Sequence, residues 1–123
     1  MPSRISRRVT LRRSRSETLV VLTTCPDMAT AERIAEMVIR DRVAACANIV
    51  PGVASLFHWQ GKLDRSKEVL LILKTTVQAF DRLSQCIRLL HPYQVPEIIG
   101  LPVIVGFQPY LGWIQETVTY PAS

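Results

Sequence analysis

The segment His91-Pro92-Tyr93-Gln94-Val95-Pro96-Glu97 sets an imidazole, a phenol and a carboxylate close together in the chain. Pro92 and Pro96 stiffen it, because neither a helix interior nor a sheet interior accommodates two prolines so near each other. A rigid polar loop between regular elements is a natural seat for function. A neutral imidazole at His91 suits Cu(II), Zn(II) or Ni(II), and Glu97 can add a carboxylate. Each also has a structural reading. His91 can cap the free carbonyls that end a helix, and Glu97 can be a solvated or ion-paired loop acid.

Cys25 stands at a strand end just ahead of a helix N-terminus, a location expected to lower a thiol pKa. The alternative is a small buried side chain. Cys46 and Cys86 read as core residues, and the three cysteines show no CxxC pair and no metal-ligand spacing. An odd, unpatterned set argues against a disulfide framework and for a reducing compartment. Lys74 interrupts an apolar strand, so it either snorkels to the sheet edge or faces a cleft between subunits. Trp59 and Tyr93 either line that cleft or pack at the end of a hairpin. Catalysis is not expected. The chain has no Ser-His-Asp set, no convincing carboxylate pair and no phosphate-cradling Gly-rich loop, and a Cys25–His91 nucleophilic pair has nothing to support it.

The elements that must position these groups follow from periodicity. Residues 17–24 form a short β-branched apolar run that reads as a buried strand. Asp27 can cap the next helix, whose inward face is Ala31, Ile34, Ala35, Val38 and Arg42. Residues 45–59 form a long extended stretch with a bulge or bend at Pro51-Gly52. Trp59-Gln60-Gly61-Lys62 is a turn, and Glu68 to Thr75 is the return strand. Thr75 with Gln78 fits a capping box. Val77, Phe80, Leu83, Ile87 and Leu90 keep helical spacing until Pro92 forbids continuation. Ile98 to Val105 is a fourth strand, and Pro102 within it argues for an edge. A last helix from Pro109 to Thr119 turns Tyr110, Trp113, Ile114 and Thr117 inward.

The order β-α-β-β-α-β plus a short C-terminal helix is the α+β, ferredoxin-like split βαβ arrangement. Two helices cover one sheet face only. The unbroken run Val69-Leu70-Leu71-Ile72-Leu73 belongs to a strand buried on both faces, so self-association through the sheets is expected. The same strand order occurs in RNA-binding RRM domains, but their third strand carries aromatic residues and this one has none. No nucleic-acid role is expected for the folded body.

The chain has 123 residues, 48% apolar, enough for one domain with a modest core. Its net charge of +5 is uneven. Arg4, Arg7, Arg8, Arg12, Arg13 and Arg15 crowd the start with no acid among them, which leaves nine Lys/Arg against ten Asp/Glu elsewhere. Residues 1–16 are therefore a basic arm, expected to be disordered in isolation, and residues 17–123 form the single domain. The arm is Arg- and Ser-rich like a transit peptide; a plain extension and a nucleic-acid or membrane-surface arm are the other readings. The cytoplasm is expected, with an organelle as the alternative if the arm is a transit peptide. No apolar run approaches the length of a membrane span.

Thr24-Cys25-Pro26-Asp27, Ala44-Ala45-Cys46-Ala47-Asn48-Ile49, Trp59-Gln60-Gly61-Lys62, Ile72-Leu73-Lys74-Thr75-Thr76 and His91 to Ile98 together resemble the CutA family of divalent-cation tolerance proteins, in the family's order and spacing. The resemblance covers Thr18 to about Val118. It implies a compact homotrimer of ferredoxin-like subunits, linked to tolerance of copper and other divalent cations. It also implies a likeness to PII-type signalling trimers, which bind small effectors between subunits. The family's metal ligands, a strand Cys, a loop His and a nearby Glu, carry over to His91 and Glu97. Thr23 stands where the strand Cys would be. Cys25 lies two residues on, on the same strand face but about 6–7 Å away. The implied partners are a divalent cation such as Cu(II), or a small anionic effector held through Lys74.

Overall fold

A computed structural model describes residues 18–119; the basic arm lies outside the described residues. The elements run β1 (Thr18–Cys25), α1 (Met28–Arg40), β2 (Cys46–Trp59), β3 (Lys62–Thr76), α2 (Phe80–Leu90), β4 (Ile99–Pro102) and α3 (Gln108–Thr117). They build one antiparallel sheet in the order β2-β3-β1-β4. This is the α+β, ferredoxin-like arrangement expected. No helix among the described residues is long and apolar enough to cross a membrane.

β1 is central, which explains its apolar, β-branched sequence. Val21, Thr23 and Cys25 point to the helix-covered side and are fully buried. They meet Leu71, Leu73, Ile34, Val38, Leu83 and Ile87 in the main core. Asp27 caps α1 as expected, its Oδ1 accepting the Thr30 N–H at 2.8 Å. α1 ends differently from expectation. Arg42 is not on the inward face but adopts φ 59° and is exposed. Val43 N–H then reaches back to the Val38 carbonyl at 3.1 Å, which closes a left-handed helix terminus.

The hairpin pairs β2 with β3 along its whole length, with a register shift between Val50 and Val53 at Pro51-Gly52. Gly52 takes φ 75° there. Gln60 (φ 51°) and Gly61 (φ 77°) make the tight turn, whose left-handed pair matches strand twist. The return strand starts at Lys62 rather than Glu68. Lys62 to Lys67 are polar apart from the exposed Leu63 and so lack an alternating apolar signal, yet their backbones pair with Ala54 to Trp59.

Two further expectations are corrected. Thr75 does not cap α2; it is the penultimate residue of β3, and its hydroxyl donates to the Val43 carbonyl at 2.7 Å. Thr76 Oγ1 instead accepts the Ala79 N–H at 3.3 Å, and α2 begins at Phe80. On α3, Ile114 is buried, while Tyr110 and Trp113 are over 40% exposed and lie against each other, ring centroids 5.6 Å apart. A second small core forms where Ile114 and Val118 meet Ala45 and Ala79.

The run Val69–Leu73 alternates in the single subunit. Val69, Leu71 and Leu73 are buried, and Leu70 and Ile72 are half-buried on the open face. In register beside them lie Leu22, Val20, Ile99 and Leu101. β4 is a short edge strand ending at Pro102, as its proline demands.

Candidate functional site

His91 is where α2 stops. Its backbone N–H donates to the Ile87 carbonyl at 2.9 Å, and Pro92 then turns the chain away. β4 pairs only with Leu19–Leu22, so the Thr24 carbonyl further along β1 lies beyond its reach. His91 fills that place, with Nε2 at 2.7 Å from the Thr24 carbonyl oxygen. Its Nδ1 accepts the Tyr93 N–H at 3.2 Å. One nitrogen therefore donates and the other accepts, a pattern that assigns the neutral Nε2–H tautomer from the hydrogen-bond network. The ring is buried at 7% exposure, and the Tyr93 ring lies against it at 4.8 Å. Neither nitrogen offers a free lone pair in this arrangement. The imidazole does bond a carbonyl, but that of β1 rather than those of its own helix.

Tyr93 extends the network. Its hydroxyl donates to Glu68 Oε2 at 2.8 Å. Burial and this bond to a carboxylate push the phenol up to about 12. Glu68, only 8% exposed at the head of the apolar part of β3, is a functional candidate that sequence reasoning missed. Its one signal was an acid directly preceding Val69-Leu70-Leu71.

Cys25 is close in sequence but chemically quiet. It is fully buried on the helix side. Burial, then Asp27 and Glu68, push its thiol up to about 11, the reverse of the lowering expected from a helix N-terminus. Desolvation of a thiolate outweighs the helix dipole here. Glu97 is exposed at the far end of the loop. Among the described residues, no three His, Cys, Asp or Glu side chains converge closely enough to hold a metal ion.

The loop and the hairpin enclose a cleft in two adjoining lobes. One, about 520 Å³, is lined by Thr24, Ser55, Ser66, Glu68, Tyr93 and Glu97 together with Leu56, Phe57 and Val95. The other, about 550 Å³, adds Trp59, Asp64, Arg65 and Gln94. Trp59 and Tyr93 line one lobe of this cleft within a single subunit, and Glu97 joins Tyr93 in the adjoining lobe. Lys74 is not among the lining residues. Its ammonium donates to Asn48 Oδ1 and contacts Cys46 Sγ at 3.7 Å, on the face opposite the main core.

The described residues thus form a ferredoxin-like subunit with a proline-braced loop over an oxygen-lined cleft. The comparisons with known proteins identify its family. Residues 19–117 match the family model of the CutA1 divalent ion tolerance protein. The Divalent-cation tolerance protein CutA of Thermus thermophilus is 46% identical over 97 residues, covering 79% of this chain and 94% of that protein. The protein of the same description from Escherichia coli is 45% identical over 105 residues, covering 85% and 94%. The crystal structure of CutA1 from Oryza sativa superposes with a TM-score of 0.83 at 36% identity, covering 88% of this chain and 99% of that one. The chain belongs to the CutA1 divalent ion tolerance family.

Proposed function

We propose that this protein is a non-enzymatic divalent-cation-binding protein, acting as a homotrimer. The cation is its cargo, held at the loop-and-hairpin cleft through the carboxylates of Glu97 and Glu68. Family membership supports the role in cation tolerance. The observation that carries the site is the cleft lining itself, which offers two carboxylates and four hydroxyls and no lysine. Such oxygen donors suit hard divalent cations. One subunit supplies too few ligands, and symmetry-related copies would complete the set.

Copper is the finer question. Cu(II) favours imidazole nitrogen, and His91 can supply it only by releasing Thr24 or Tyr93. Cys25 is no better placed, because it is fully buried on the helix-covered side of the sheet. In this reading His91 positions the loop and Glu97 contacts the cation. The alternative, a PII-like trimer binding an anionic effector, is less well supported. Its intended anchor, Lys74, is committed to Asn48, and the lining acids Asp64, Glu68 and Glu97 outnumber the one lining cation, Arg65. Three free thiols fit the cytoplasm.

Calorimetric titration with Mn(II) and Cu(II) tests the site. Glu97→Gln is expected to weaken binding at least about tenfold, the order of one lost charge-assisted contact. His91→Gln, whose amide can still donate to Thr24, is expected to retain Mn(II) binding. Binding unchanged in Glu97→Gln but lost in His91→Gln would instead make the imidazole the ligand.

A further inference from the structure

The two carboxylates proposed for the cation are held differently. Glu97 is exposed at the end of the loop, whereas Glu68 is only 8% exposed and its Oε2 accepts the Tyr93 hydroxyl at 2.8 Å. Among the described residues no other hydrogen bond reaches the Glu68 carboxylate. One of its oxygens is therefore occupied. The other, Oε1, is left for a ligand in the lobe that Glu68, Tyr93 and Glu97 line together.

The fold fixes where that phenol stands. The Tyr93 N–H donates to His91 Nδ1 at 3.2 Å, and the two rings lie 4.8 Å apart. The imidazole is in turn anchored on the Thr24 carbonyl at 2.7 Å, and Pro92 stiffens the step between the two residues. The phenol keeps its proton up to about 12, so at neutral pH it is a donor to the carboxylate. All of these groups belong to one subunit, and Glu68 and His91 are buried within it. The arrangement is independent of what covers the cleft in an assembly.

We propose that Tyr93 sets the cation selectivity of the cleft, favouring octahedral ions such as Mn(II) over Ca(II). The inference rests on the cation site proposed above. A carboxylate that accepts one hydrogen bond still offers its second oxygen, which serves an ion with a compact octahedral shell, and a hydrogen bond to a ligating carboxylate orients it. Ca(II) takes about six to eight oxygens and readily draws both from one carboxylate. To do so at Glu68 it must displace the phenol and forfeit a charge-assisted hydrogen bond. The Tyr93 hydroxyl thus limits Glu68 to one oxygen per cation, which penalises the larger ion.

The test is calorimetric titration of the full-length protein with Mn(II) and with Ca(II), read as the ratio of the two affinities. Tyr93→Phe keeps the ring and removes only the hydroxyl. It is expected to shift the ratio toward Ca(II) at least about tenfold, the order of one hydrogen bond to a charged group. A merely structural loss would weaken both ions alike and leave the ratio in place. The same substitution in a Glu68→Gln background is expected to leave the ratio unchanged, because Tyr93 acts through that carboxylate. An unchanged ratio in Tyr93→Phe would overturn the inference, as would an equal shift in the Glu68→Gln background or a wild type that prefers Ca(II). Mn(II) binding that weakens in Glu97→Gln, with the ratio unmoved by Tyr93→Phe, removes the selectivity role and keeps the cation site. A wild type that binds neither ion removes both.

Discussion

At the scale of single residues, polar groups sort by whether burial leaves them a partner. His91 is buried and satisfied at both nitrogens, so it behaves as a brace. Thr23 is fully buried, and its hydroxyl has no hydrogen-bond partner among the described residues. An unpaired buried hydroxyl costs about 1–3 kcal/mol, and replacing it by a methyl of the same shape removes that cost. Thr23→Val is therefore expected to raise stability by about 1 kcal/mol, seen as a higher urea midpoint at unchanged slope. Cys25 and Tyr93 make the fold sensitive to alkali. Both hold their protons more tightly in the folded state, at about 11 and about 12. Above the ordinary thiol value the unfolded chain releases a proton that the native chain keeps. Stability therefore falls as pH rises. The loss begins near pH 9, the ordinary value for Cys25, continues through about 11, and the Tyr93 contribution follows between about 10 and 12. Thermal melts from pH 8 upward should show this decline, and Cys25→Ala should flatten its first part.

At the scale of elements, two left-handed positions give predictions of opposite sign. Arg42 bears a side-chain steric penalty at φ 59° to end α1. Arg42→Gly is expected to stabilise by roughly 1 kcal/mol, because its backbone contacts, including the Thr119 N–H to its carbonyl, need no side chain. Gly52 holds φ 75° at the β2 bulge, and a methyl there would meet nothing within 4 Å. Gly52→Ala is nonetheless expected to cost about 1 kcal/mol, entirely from the backbone. Denaturant melts of both variants check the pair. Element order was legible in the sequence because strand and helix periods differ and Asp27, Pro51-Gly52, Gly61 and Pro92 punctuate them. The start of β3 was not, since Lys62 to Lys67 run along the hairpin arm and have no buried apolar face to alternate. The site was legible only in part. Loop spacing placed His91, Tyr93 and Glu97 together in the chain, but the Thr24 carbonyl that occupies the imidazole is 67 positions away. Only the fold reveals that β4 stops short and leaves that carbonyl for His91 to take.

At the scale of the whole molecule, the open sheet face decides the assembly. α1 and α2 shield one side, and α3 covers only part of the other through Ile114 and Val118. Ile99 and Leu101 remain 48% and 47% exposed there, and Val50 38%, in register beside half-buried Leu22, Leu70 and Ile72. A contiguous apolar sheet face of this kind is what a self-association surface looks like before it is covered. Each large side chain taken from water there is worth about 1.5–3 kcal/mol when fully buried, so it takes the face as a whole, rather than one or two residues, to offset the freedom lost on association. The expected species is a trimer, about three times the 13.9 kDa of one chain. Ile72→Arg tests the face directly. Ile72 stands in register with Leu22 and Asn48 in the middle of the sheet, on the side away from the main core. A guanidinium there can reach water in a lone subunit but would be stranded in a sheet-to-sheet contact, where an unpaired buried charge is strongly unfavourable. Sedimentation equilibrium should give the trimer mass for the wild type and the monomer mass for Ile72→Arg, with the circular dichroism of a folded α+β subunit retained. A wild-type protein that sediments as a monomer at micromolar concentration would remove the assembly, and with it the source of the additional cation ligands that one subunit lacks.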